Sequence, residues 1–76
     1  MDVKILTATD LGNVIRQARK SQKLTQDDLA GMTGNGRRFI SDLENGKPTM
    51  HFGKIRGVLA TLGISLKAFS QWHIDK

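Results

Sequence analysis

Two phrases in this chain, Thr7-Ala8-Thr9-Asp10 and Thr25-Gln26-Asp27-Asp28, each set a threonine three residues before an aspartate, with apolar residues at helical spacing close behind. In such a capping box the threonine hydroxyl accepts from the N–H three residues on, while the acid accepts from the threonine's own N–H. Each phrase therefore marks a helix start. The 76 residues hold one proline, no Ser/Gly-rich run and no internal repeat, so the chain is expected to fold as one small helical domain.

The first helix carries Leu11, Val14, Ile15 and Ala18 as an apolar stripe, leaves Arg16, Gln17 and Lys20 toward water, and ends between Ser21 and Lys23. The second is short, with Leu29, Ala30 and Met32 as its apolar positions, and stops at Gly34, where a left-handed residue suits glycine. A third, over residues 36–45, carries Phe39, Ile40 and Leu43 and is ended by Gly46-Lys47-Pro48. A fourth is expected over residues 50–62, with Phe52, Ile55, Val58, Leu59 and Leu62 inward and Gly63 closing it. In the tail, Ile64, Leu66 and Ala68 alternate like a strand while Leu66, Phe69 and Trp72 recur like a loose helix, and periodicity leaves both readings open.

Twelve Lys and Arg against seven Asp and Glu give a net charge of +5, a balance suited to phosphate backbones or to an acidic protein surface. Cysteine is absent, which removes disulfides, thiolate nucleophiles and Cys-based metal sites. His51 and His73 have no third ligand at metal spacing and no acid–His–Ser arrangement, so both read as surface residues. Asp27 and Asp28 read as caps of a helix terminus, not as an acid/base pair. No enzyme, metal or cofactor is expected. Nor is a membrane span or signal peptide, because no apolar run is long enough, and the expected location is the cytoplasm. A core this small, with about 60% of the unfolded chain's surface buried, favours a partner subunit or ligand.

Residues 26–45 resemble the helix-turn-helix of the XRE/Cro-like DNA-binding family. Leu29 and Ala30 stand where that family places an apolar and a small residue, Gly34 stands at the turn, and Ile40 and Leu43 stand at the buried positions of the second helix. Physics accounts for each position, since two steeply crossing helices need a small residue at the crossing and a positive φ in the turn. The resemblance implies an all-α, lambda-repressor-like domain of four or five helices. On a helical wheel Arg37, Arg38, Ser41 and Asn45 lie opposite Phe39, Ile40 and Leu43, so Arg37, Arg38 and Ser41 are the candidates for reading bases in the major groove. Thr25 and Gln26, at the start of the helix that crosses the backbone, are candidates for a phosphate, as are Asn45, Lys47 and Thr49 after the recognition helix. Gly36 stands where relatives carry a polar residue, so only its backbone N–H serves. The resemblance also implies a structural ion pair between Arg19 and Glu44.

Residues 38–49 (RFISDLENGKPT), 11–16 (LGNVIR) and 59–63 (LATLG) are similar to one subgroup, the HipB-like antitoxins. Members bind palindromic operators as dimers and hold a HipA-type Ser/Thr kinase toxin inactive. The resemblance implies a short C-terminal strand pairing across a homodimer through Ile64, Leu66 and Ala68, with Trp72 a candidate toxin contact or a packing residue. The expected organisation is a flexible N-terminus over 1–6, the helix-turn-helix domain over 7–63 and a dimerisation and partner-binding tail over 64–76. The implied function is an autoregulating repressor and antitoxin acting on double-stranded DNA. A phage- or restriction-modification-type repressor without a toxin shares every residue named here, and a protein- or RNA-interaction module is a third reading.

Overall fold

The computed structural model describes residues 3–67. Four helices follow in order: α1 (Ala8–Ser21), α2 (Gln26–Thr33), α3 (Arg37–Glu44) and α4 (Phe52–Leu62). Both capping boxes are closed. The Thr7 hydroxyl accepts from Asp10 N and Thr25 from Asp28 N, while each aspartate accepts from its threonine's N–H. These bonds from Leu6 and Thr7 to Asp10, and from Thr25 to Asp28, hold both carboxyls below their ordinary value, as expected for anions at helix N-termini.

α1 and α2 each pack against both α3 and α4. The core they enclose is Ile15, Leu29, Ala30, Ile40, Leu43, Ile55, Val58, Leu59 and Leu62. Leu29 and Ile40 are fully buried at the α2–α3 crossing, and Ala30 beside them supplies the small residue that a close crossing needs. Gly34 closes α2 at φ +73°, a left-handed turn that a Cβ would strain. α1 approaches α3 closely at Gly12, where an added Cβ would lie 2.5 Å from the Glu44 carbonyl oxygen. At the far end, Gln22 Nε2 donates to Leu62 O at 3.0 Å and ties α1 to the end of α4.

The structure corrects four expectations. Met32 is 56% exposed, because it lies about 110° round α2 from the centre of the Leu29/Ala30 stripe. Phe52 is 63% exposed: it continues the inner stripe of α4 but lies one turn past the core that Ile55 begins. α4 also starts two residues later than expected, at Phe52, with His51 as its cap through Nδ1 accepting from Lys54 N at 3.2 Å; Met50 precedes it and packs on the core. Arg16 is only partly in water, its side chain 38% exposed, because its guanidinium turns across to α3.

Among the described residues there is no strand. Ile64 follows α4 in irregular backbone and packs on the core of its own chain, and Leu66 is exposed. Ala68, Trp72 and His73 lie outside the described residues.

Candidate nucleic-acid interface

The α2–turn–α3 unit carries a run of exposed or half-buried polar residues. Thr25 opens it: the hydroxyl oxygen accepts from Asp28 N, which leaves its own O–H free to donate. The first turn of α2 directs backbone N–H groups outward, the arrangement that binds phosphate. Gln26 is half-buried, and its amide nitrogen donates to Glu44 at 3.2 Å.

α3 begins at Gly36, which caps with extended backbone and no side-chain bond. Its first turn carries two exposed cations, each facing a carboxylate. The Arg38 side chain is 94% exposed, with Nε 4.0 Å from Asp42. Arg37 Nε lies 3.5 Å from Asp27 of α2, and both side chains are mostly in solvent. Lys47 Nζ also approaches Asp42, at 3.6 Å. Exposed pairs of this kind contribute about 0–1 kcal/mol, so they orient the cations without withholding them from a stronger anion. Ser41 is half-buried one turn along and accepts from Asn45 Nδ2 at 3.5 Å. Asn45 is the C-cap of α3, while Lys47 and Thr49 lie exposed in the loop beyond. Thr25, Gln26, Gly36, Arg37, Arg38, Ser41, Asn45 and Lys47 thus all belong to this unit or its immediate exit.

Behind that surface sits a buried carboxylate. Arg19 grips Glu44 with two bonds, Nε to Oε2 at 2.6 Å and Nη2 to Oε1 at 3.0 Å, and its Nη1 donates to Leu24 O at 2.8 Å. Oε1 also accepts from Gln26 Nε2 and from Arg16 Nε. Burial alone would raise the Glu44 pKa. The bonds from Arg19, Gln26 and Arg16, with the Arg19 charge, outweigh that and hold it below its ordinary value. Arg19 is correspondingly held above its own ordinary value by Glu44. Among the described residues no buried side-chain polar atom lacks a partner, which is what keeps a buried ion pair from being a net cost.

Two contributors escaped the sequence reading. Asp42, which faces Arg38 and Lys47, was visible as an i,i+4 partner of Arg38. Arg16 was not, because a wheel places it beside Arg19 without saying that α3 lies within reach. Among the described residues no group of His, Cys, Asp or Glu could hold a metal ion, and no helix is long and apolar enough to cross a membrane.

Comparison with known proteins agrees with this geometry. The helix-turn-helix family matches residues 15–69. The chain is 53% identical over 66 residues to the uncharacterized HTH-type transcriptional regulator y4mF of Sinorhizobium fredii, covering 87% of each. Among solved structures, it is similar to HipB in a complex with an O4 20mer, at TM-score 0.82 and 25% identity over 93% of this chain and all of that one. The HipA–HipB–O2–O3 complex aligns at TM-score 0.83 and 25% identity, with 93% and 100% coverage. The restriction-modification controller protein C.AhdI of Aeromonas hydrophila shares the fold at TM-score 0.68 and 24% identity, with 76% and 84% coverage.

Proposed function

The chain belongs to the XRE-type helix-turn-helix family of DNA-binding transcriptional regulators, and from that premise we propose that it is a sequence-specific repressor of its own operon and a HipB-like antitoxin of a HipA-type Ser/Thr kinase. The observation that carries the reading is the face of α3. Its first turn holds two exposed arginines that no buried group engages, on a helix anchored from behind by the Arg19–Glu44 pair. Arginine donates bidentately to guanine O6 and N7, worth about 1–3 kcal/mol of discrimination against a wrong base.

Residues 7–63 act as the DNA-binding domain and residues 64–76 as the dimerisation and partner-binding tail, with Ile64, Leu66 and Ala68 at the dimer contact and Trp72 against the toxin. Two subunits place their α3 helices in successive major grooves, so the operator is an inverted repeat with half-sites about 34 Å apart. Arg37, Arg38 and Ser41 read bases, and Thr25, Gln26, the Gly36 N–H, Asn45, Lys47 and Thr49 hold phosphates. The similarity of the whole fold to HipB supports the antitoxin half of the reading.

Selection from a pool of randomised duplex DNA at moderate salt, with wild type and with Arg37→Ala/Arg38→Ala, tests the repressor. The expected result is an enriched inverted repeat whose preferred bases vanish in the double variant. A folded wild type that enriches nothing overturns it. The antitoxin half is tested by co-expression with a HipA-type kinase: a stable complex with lost kinase activity is expected, and two proteins that elute separately leave a repressor without a toxin partner.

A further inference from the structure

Arg16 sits on α1, outside the two helices that present the reading surface, yet its guanidinium ends on the last residues of α3. Its Nη2 donates to Asn45 Oδ1 at 3.1 Å and to the Glu44 carbonyl oxygen at 3.4 Å, while its Nε faces Glu44 Oε1 at 3.5 Å. The Asn45 amide nitrogen, turned the other way, donates to Ser41 Oγ at 3.5 Å. One chain of bonds thus runs from the buried Glu44 carboxylate through Arg16 and Asn45 to Ser41 on the exposed face of α3.

We propose that Arg16 is a positioning residue of the DNA interface, one that sets which end of the Asn45 amide faces the nucleic acid. This rests on the repressor reading above. An asparagine at a helix C-cap is free to turn either its acceptor or its donor outward. Arg16 takes the acceptor: a guanidinium has five N–H groups and no lone pair, so only Oδ1 can face it. The NH2 group is thereby aimed outward, with one N–H on Ser41 Oγ and the second unused. Ser41, already accepting, has its own hydroxyl hydrogen left to donate. Asn45 and Ser41 therefore each present a donor on α3 near the Arg37/Arg38 turn, beside the Asp42 carboxylate that Arg38 and Lys47 face, and these donors suit phosphate oxygens and the acceptor-bearing edges of guanine and thymine.

The position of Arg16 reinforces the effect. The last carbonyls of a helix have no intrahelical partner and carry the negative end of its dipole. A cation reaching the Glu44 carbonyl from α1 satisfies one of them and holds the C-terminal end of α3 in register. With the guanidinium removed, the amide can rotate and set Oδ1 against a phosphate, where it repels.

The test is a double-variant cycle on the selected operator. Arg16→Met keeps the aliphatic stem and removes the guanidinium, and Asn45→Ala removes the group it orients. Each variant alone is expected to weaken operator binding about tenfold, the loss of roughly one hydrogen bond to a charged group. Together they should weaken it no further than either does alone. Losses that multiply, with the salt slope falling by about one in Arg16→Met even when Asn45 is already alanine, would mean that Arg16 binds a phosphate directly and would overturn the proposal.

A second readout needs no DNA. In the full-length free protein, the two side-chain amide protons of Asn45 should be separately resolved by NMR and should move toward free-amide values in Arg16→Met. Unchanged amide signals overturn the positioning role even if the variant is less stable. If wild type selects no operator while these signals do shift, the repressor reading fails and the local orientation by Arg16 stands.

Discussion

Gly12→Ala sets two opposed effects against each other, and distances decide the sign. Glycine inside a helix costs about 0.5–1 kcal/mol relative to alanine, so the substitution should stabilise α1 by that amount if there is room for a methyl group. There is none. The new Cβ would lie 2.5 Å from the Glu44 carbonyl oxygen, 2.6 Å from that of Leu43 and 2.9 Å from the Glu44 carbonyl carbon. A close carbon–oxygen contact needs about 3.3 Å, so α3 must retreat by roughly 0.8 Å. All three obstructing atoms are backbone, which cannot swing aside as a side chain can.

Overpacking of this kind costs about 1–3 kcal/mol. The same retreat stretches the 2.6 Å Arg19–Glu44 bond, a buried charged contact that weakens steeply with distance. Subtracting the helix gain leaves a net loss of up to about 2.5 kcal/mol from the clash, and the stretched ion pair adds to it. For a domain of this size each kcal/mol moves Tm by about 4–8 °C. Gly31→Ala is the matched control: it also lies inside a helix, but its Cβ would meet nothing within 4 Å, so Tm should rise. Thermal melts followed by far-UV circular dichroism compare the two with wild type. A Gly12→Ala protein that melts at or above wild type, alongside a stabilised Gly31→Ala, refutes the reasoning.

Stability should also fall in acid, with the sign set by depressed carboxyl pKa values. Glu44 is held below its ordinary 4.5 and Asp10 and Asp28 below 3.8, so their contribution is complete above those values and is lost as pH falls through the lower native ones. Urea midpoints should be level down to about pH 5 and then drop, and the drop should be shallower in Glu44→Gln; an unchanged profile in that variant counts against the assignment. Glu44→Ala leaves the buried Arg19 charge unmatched, which costs about 3–5 kcal/mol, a large share of what such a domain possesses; a protein largely unfolded at room temperature by circular dichroism is expected. Thr25→Ala removes the cap of α2 and should cost about 1 kcal/mol by chemical denaturation. Lys23 lies at φ +60°, a left-handed conformation that costs a side-chain-bearing residue about 1–2 kcal/mol, so Lys23→Gly should leave stability unchanged or raise it by up to about 1 kcal/mol after the added freedom of the unfolded chain is subtracted.

Much of the fold is encoded locally and could be read directly. Thr7 and Thr25 lie three residues from the aspartates they bond, and Gly34 makes its turn by its own φ; none of these depends on a distant segment. The inward residues Ile15, Leu29, Ile40, Leu43, Val58 and Leu59 follow a 3.6-residue period that any amphipathic helix displays. Failures of the reading fall where a local pattern meets a boundary set by other elements. Phe52 continues the stripe of α4 and is nonetheless exposed, because the core stops one turn short of it. Met50 packs inward from outside the helix, since His51, a residue not usually read as a cap, begins α4 in its place.

The candidate site divides in the same way. The exposed character of Arg37 and Arg38 follows from the wheel, as the buried side of α3 must carry Phe39, Ile40 and Leu43. The pairing of Arg19 with Glu44, 25 residues apart, came only from family resemblance, for no short-range spacing predicts a contact between α1 and the end of α3. The roles of Arg16 and Gly12 were invisible for the same reason. By itself the sequence determined four helices, their caps, the apolar stripes and a basic face on α3, because hydrogen bonding within a turn and helical periodicity act over three or four residues. Only the tertiary structure decided that α1 crosses α3 closely enough to require Gly12, to bury Glu44 among Arg19, Gln26 and Arg16, and to connect that carboxylate through Arg16 and Asn45 to Ser41, because contacts between helices depend on distances in space that spacing along the chain does not set.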